Sequence, residues 1–163
     1  MTSELRPVGL DYLDAPASCY QYAEPVEAST ERVFAAISAD PSTWGWFPGL
    51  DAGSYEGEDP PGIGTRRWVT MADVTYRETV LAWDEPRRWA YRVDECSIPL
   101  FAVLLEDWVV ESVSEHASVV HWTFAFEPLP ETADALAGAQ ELIGTTFHDA
   151  MISLSTSLSA PDS

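Results

Sequence analysis

Near the C-terminus, Leu136, Ile143, Phe147, Met151, Leu154 and Leu158 recur three, four or seven positions apart. That spacing predicts a helix over 131–158 with one apolar stripe, started at Pro130 and carrying Glu131 and Asp134 at its positive end. Upstream the period changes to two. Val120, Trp122, Phe124 and Phe126 share one parity and His121, Thr123 and Ala125 the other, as in a strand with one face under apolar cover. Short segments of strand character over 19–27, 50–58, 64–71, 74–83, 88–94, 98–112 and 117–127 are separated by turn formers such as Glu58-Asp59-Pro60-Pro61-Gly62 and Ser114-Glu115-His116. The pattern alone predicts an α+β chain with an antiparallel meander. Residues 1–18 hold Pro7, Gly9 and Pro16 without a sustained period, and read as an N-terminal tail packed loosely on a single domain over 19–160.

Between the first two strands, residues 26–48 carry the densest local signals. Ser29 or Thr30 can cap a helix with Glu31 in its first turn, Val33 and Ile37 stack four apart beside Phe34, and Asp40-Pro41 stops that helix and starts another turn. Trp44, Trp46 and Phe47 follow. Gly62-Ile63-Gly64-Thr65-Arg66, Glu78-Thr79-Val80, Asp84-Glu85-Pro86-Arg87-Arg88 and Trp89-Ala90-Tyr91-Arg92-Val93 come next in order. Together these motifs resemble the polyketide cyclase/START-related superfamily (SRPBCC, Bet v 1-like) over residues 19–158. The resemblance implies a helix-grip fold: a seven-stranded curved antiparallel sheet wrapped around a long C-terminal helix, with two short helices between the first two strands. It also implies an internal cavity between sheet and helix, with Trp44, Trp46 and Phe47 at one side of its mouth.

Composition narrows the chemistry. The chain has 163 residues, 46% of them hydrophobic, enough for a substantial core. No apolar run approaches the ~20 residues of a membrane helix, the longest candidate over 98–105 being interrupted by Pro99. The first seven residues contain no hydrophobic leader, and we expect a cytoplasmic protein. Acidic residues number 27 against 8 basic ones, for a net charge of −19, which disfavours nucleic acid and anionic membranes. Such acidity fits GC-rich codon usage and salt adaptation alike. Every cation is an arginine, and without lysine there is no Schiff base, pyridoxal phosphate linkage or phosphate-loop lysine. Three histidines without ligand spacing and two distant cysteines, Cys19 and Cys96, predict no metal site, no disulfide and no cofactor.

Aromatic residues supply the candidate lining. Trp44, Phe47, Trp68, Tyr76, Tyr91, Trp108, Trp122, Phe124, Phe147 and Met151 are expected to form the cavity or its gate, with His148 as a polar group on the helix. Arg66, Arg77, Glu78, Arg92, Glu106 and His121 are further polar candidates, and strand parity decides which of them face inward. Gly138 and Gly144 interrupt the long helix, which predicts close approach of a backbone or ligand. Aromatic polyketide cyclases resembling this chain polarise a carbonyl with an inward arginine in a Glu-Arg-Val strand. Here the pattern reads Glu78-Thr79-Val80, so no catalytic residue carries over. The first expectation is a non-catalytic binder of a hydrophobic or aromatic small molecule (lipid, isoprenoid or polyketide-like), present as monomer or homodimer. The alternatives are a cyclase, aromatase or dehydratase, and a protein-interaction module.

Overall fold

The computed structural model describes residues 2–159. Its strands are β1 (Ser3–Glu4), β2 (Ser18–Val26), β3 (Leu50–Tyr55), β4 (Arg66–Met71), β5 (Val74–Asp84), β6 (Arg88–Cys96), β7 (Phe101–Ser114) and β8 (Ala117–Pro128). All pairings are antiparallel, and the sheet runs β2-β8-β7-β6-β5-β4-β3. Helix α1 (Thr30–Ile37) and a short 3-10 turn (Pro41–Thr43) fill the connection between β2 and β3. This is the helix-grip arrangement, with α2 (Ala133–Ala137) and α3 (Gln140–Ser159) at the C-terminal end.

Local chemistry accounts for these boundaries. The Ser29 hydroxyl accepts the Arg32 amide at the start of α1, and Val33, Phe34 and Ile37 are its buried face. Asp40 caps the next turn by accepting the Ser42 amide. Ala72 and Asp73, both at positive φ, make the two-residue turn that sets Met71 opposite Val74 and, counting outward, Arg67 opposite Glu78. At Gly53 a Cβ would come within 2.9 Å of the Trp68 carbonyl oxygen and 2.8 Å of Pro41, so glycine lets the short turn lie against β3.

Two expectations change. The segment over 1–18 is knitted in rather than loose: β1 pairs with β6, Leu5 is buried, and Arg6 reaches Glu127 at 2.8 Å. β1 makes the sheet eight-stranded, because the first residues complete backbone bonds that β6 otherwise leaves open beyond Arg92. The helix expected over 131–158 is broken between α2 and α3, where Gly138 closes α2. Two tyrosines of β2 take carbonyls at the break: the Tyr20 hydroxyl donates to Leu136 O at 2.7 Å and Tyr22 to Gln140 O at 2.6 Å. The expected domain end at residue 160 lies outside the described residues.

The apolar stripe of α3 is as expected. Phe147, Met151 and Leu154 are buried, and Leu136, Ile143 and Leu158 pack at its margins. Gly144 has a packing reason: a Cβ there would lie 2.6 Å from the Tyr22 ring. Gly138 has only α2's own carbonyls within reach, at 3.6 and 3.7 Å. Gly144→Val should therefore destabilise the protein by about 1–3 kcal/mol through overpacking, whereas Gly138→Ala should stay within about 0.5 kcal/mol of wild type, as a substitution without such a clash does. Urea unfolding of both variants checks the contrast.

Candidate functional site

Strand pairing sets a row of polar side chains across the concave wall. Arg67 on β4 stands opposite Glu78 on β5, and Tyr91 on β6 opposite Glu106 on β7. Trp122 on β8 reaches the same row, its indole N–H donating to Glu106 Oε1 at 2.9 Å. Everything around this row is aromatic or aliphatic. Trp44, Trp89, Trp108, Trp122 and Phe147 pack ring to ring at centroid distances of 5.0 to 6.4 Å.

Arg67 is the centre of this arrangement. The residue is 1% exposed, Nε donates to Glu78 Oε1 at 2.6 Å, and the guanidinium lies 5.1, 4.6 and 4.6 Å from the ring centres of Trp44, Trp89 and Tyr91. The three ring faces offer the desolvated cation a negative quadrupole. Arg67 Nη1 and the indole nitrogens of Trp89 and Trp108 are buried without a hydrogen-bond partner. Such orphaned donors are uncommon in folded proteins.

The two interior carboxyls differ in their surroundings. Burial raises both pKa values, but at Glu78 the Arg67 charge and hydrogen bond oppose it. Glu106 is pushed up to about 8, first by burial and then by the Glu78 charge, against weaker help from Tyr91, Arg67 and Trp122. With two carboxyls and one guanidinium, the proton at neutral pH belongs on Glu106. Burial also raises the hydroxyls of Tyr91 and Tyr76.

The expected lining residues divide. Trp108, Trp122, Phe124, Phe147, Met151 and Tyr91 are buried on the inner wall, and Tyr76 packs against it half-buried. Trp44 and Trp46 are buried and stacked at 4.8 Å with Phe47 beside them, so they cover the interior as a closed lid. Trp68 belongs elsewhere: it alternates with inward Arg67 and Val69, which turns it to the outer face. His148 is also outside, half-exposed on α3 and 2.8 Å from Glu24 of β2. Of the polar candidates, parity turns Glu78 and Glu106 inward, while Arg66, Arg77 and Arg92 pair outside with Asp94, Glu56 and Glu95, and His121 with Glu111. Arg67 was not among them, although the two-residue turn at Ala72-Asp73 places it opposite Glu78.

The interior that the sequence suggests as a cavity is filled by its own rings. Grooves on the surface are open: one of about 620 Å³ runs along Tyr22, Glu24, Gln140, Gly144, Thr145 and His148. Another of about 410 Å³ lies where Trp46 meets Ser153, Thr156 and Ser157 of α3. Among the described residues no helix is long and apolar enough to cross a membrane.

The sequence profile of the family described as polyketide cyclase / dehydrase and lipid transport matches residues 20–155. The chain belongs to this family. Among curated relatives, an uncharacterized protein of Mycobacterium tuberculosis is 26% identical over 120 residues, covering 72% of this chain and 71% of its own. Solved structures share the fold at low identity. The Zhui aromatase/cyclase of Streptomyces sp. R1128 superposes with a TM-score of 0.71 at 14% identity, over 85% of this chain and 93% of its own. A START superfamily protein of Mycobacterium smegmatis gives 0.68 at 12%, over 85% and 95%. Norcoclaurine synthase of Thalictrum flavum, in complex with dopamine and hydroxybenzaldehyde, gives 0.64 at 15%, over 97% of each chain. The family's range spans hydrophobic-ligand binding and cyclase-type activity, and each requires an apolar interior such as this one.

The buried pair makes a thermodynamic prediction. Arg67→Met or Glu78→Leu alone should cost about 3–5 kcal/mol by leaving a buried partner uncompensated, and the double variant Arg67→Met/Glu78→Leu should recover most of it. Denaturant unfolding of the three variants gives the coupling. Glu106 makes a second one. Its folded pKa lies above the usual carboxyl value, so the folded state binds more protons than the unfolded state between about 4.5 and about 8. Stability from this group is present in acid and lost as pH rises through that window. In a His148→Gln background, which removes the exposed pair with Glu24, unfolding free energy should fall from pH 5.5 to 8.5. Glu106→Gln should flatten the fall.

Proposed function

We propose that this protein binds a hydrophobic or aromatic small molecule between the concave sheet and α3 without altering it. The observation that carries the reading is the row Arg67–Glu78–Tyr91–Glu106, buried in an otherwise aromatic interior. A core built only for stability gains nothing from such a row, since an ion pair of this kind is at best neutral against apolar residues of equal volume. A binding site uses a few fixed polar groups in an apolar wall to orient its ligand. The interior is filled by its own rings, so in this reading binding requires the lid of Trp44, Trp46 and Phe47, together with the rings of Trp108, Trp122 and Phe147 behind it, to move apart around the ligand. Family membership supports the same reading, as the family's description includes lipid transport.

A second reading is favoured by Glu106. With a pKa of about 8 it is a carboxylic acid at neutral pH, in the same wall as a fixed guanidinium, as proton transfer to an enolate or leaving hydroxyl would require. The chain's arginine is on β4 at position 67, and Glu78 and Val80 face inward while Thr79 turns out toward Asp94, so the expected Glu-Arg-Val position is empty of arginine here.

Native mass spectrometry of protein purified from cells, against its denatured mass, tests the binding reading. The expected outcome is a non-covalent apolar adduct lost on denaturation. Protein that carries none, and takes up no member of a panel of polyaromatic and isoprenoid compounds, overturns it. Conversion of a bound compound by wild type but not by Glu106→Gln, with the adduct kept, would establish the second reading in its place.

A further inference from the structure

Among the described residues, the fully buried side-chain atoms without a hydrogen-bond partner are all donors: Arg67 Nη1, Trp89 Nε1 and Trp108 Nε1. Their residues gather around Trp44, whose ring lies 5.1 Å from the Arg67 guanidinium carbon and 6.0 and 6.4 Å from the Trp89 and Trp108 rings, which are themselves 6.2 Å apart. A ligand seated here relieves them only by bringing an acceptor. Charge sets a further limit. Among the described residues Arg67 is the one buried cation, and its charge is met by Glu78 at 2.6 Å. A ligand carboxylate would therefore be buried unpaired beside two carboxyl groups, a penalty that apolar contacts do not offset.

Resting on the reading that the interior takes an apolar ligand, we propose that it selects uncharged ligands bearing a carbonyl or hydroxyl oxygen that accepts a hydrogen bond from Trp108 Nε1 or Arg67 Nη1, and rejects carboxylates such as free fatty acids. Glu106 reinforces this selection in both of its states: protonated it adds a neutral donor, and ionised it adds a second negative charge that repels an anion. The Trp122 N–H is already given to Glu106, so it is not free for the ligand. The ionised state would welcome a cation instead, which makes a cationic probe the necessary control.

Four probes of one size separate these chemistries: 2-ethylnaphthalene, 2-acetylnaphthalene, 2-naphthoate and 2-naphthylmethylammonium. They are titrated into the full chain at pH 6.5 by ligand-detected NMR. We expect the ketone to bind about tenfold tighter than the hydrocarbon, corresponding to one added charge-assisted hydrogen bond, and the naphthoate to bind more weakly than the hydrocarbon. Trp108→Phe keeps the ring and loses the N–H, and should lower ketone affinity at least threefold while leaving the hydrocarbon unchanged. Equal affinity for ketone and hydrocarbon overturns the inference and leaves the binding reading standing. Tightest binding of the naphthoate or the ammonium overturns it as well, in favour of an ionic ligand. Unchanged ketone affinity in Trp108→Phe removes Trp108 from the assignment and overturns it in this form. Failure of all four probes to bind overturns the inference and the binding reading together.

Discussion

A guanidinium cannot be taken out of water unless something replaces the water, and at Arg67 the replacements dictate their neighbours. Glu78 of β5 supplies the opposite charge, and Trp44 after the 3-10 turn together with Trp89 and Tyr91 of β6 supplies three ring faces, so three elements must meet around one group. The demand fixes the β4–β5 register, since a slip of one residue would turn both charges to the other face and leave Trp68 inside. It also draws in the chain after α1, because Trp44 must lie against the cation, and Gly53 permits that approach by lacking a side chain. Lid, wall and register are thus consequences of one buried charge.

The helix is held by a different means. β2 lends α2 and α3 two tyrosine hydroxyls at the break, and His148 reaches Glu24 a little further along. Those bonds occupy carbonyls that a continuous helix would have used internally, so the break near Gly138 is stabilised from the sheet side. Gly144 then allows α3 to rest on the Tyr22 ring. The apolar stripe beyond it, Phe147, Met151 and Leu154, is buried against the inner wall.

Where period and turn chemistry agree, the sequence is a good guide. The stripe of α3, the capped α1, the Asp40-Pro41 stop and all seven main strands follow from spacing of two or three to four and from known turn formers. Parity on short strands is where it fails. In Arg66-Arg67-Trp68-Val69 the eye places Trp68 inside because it is large and apolar, yet the turn at Ala72-Asp73 counts out to the opposite assignment. His148 misleads for a related reason. It follows Phe147 directly, and neighbours on a helix are ~100° apart, so a residue beside a buried one commonly points to solvent. Gly138 as a helix end and β1 as a strand depend on tyrosines and a strand edge distant in sequence, and no local pattern carries them.

The contrast between surface and interior explains how a chain of net charge −19 can keep one neutral inner wall. Outside, arginines 66, 77 and 92 are spent on Asp94, Glu56 and Glu95 in water, where such pairs contribute little to stability. Inside, a single arginine balances a single ionised carboxylate, and the second carboxyl keeps its proton because ionising it would add an unmatched charge at low dielectric. Neutrality there is enforced by the scarcity of interior cations. An additional inward arginine would ionise Glu106 and change the wall from one with a neutral carboxyl to one that holds a second ion pair.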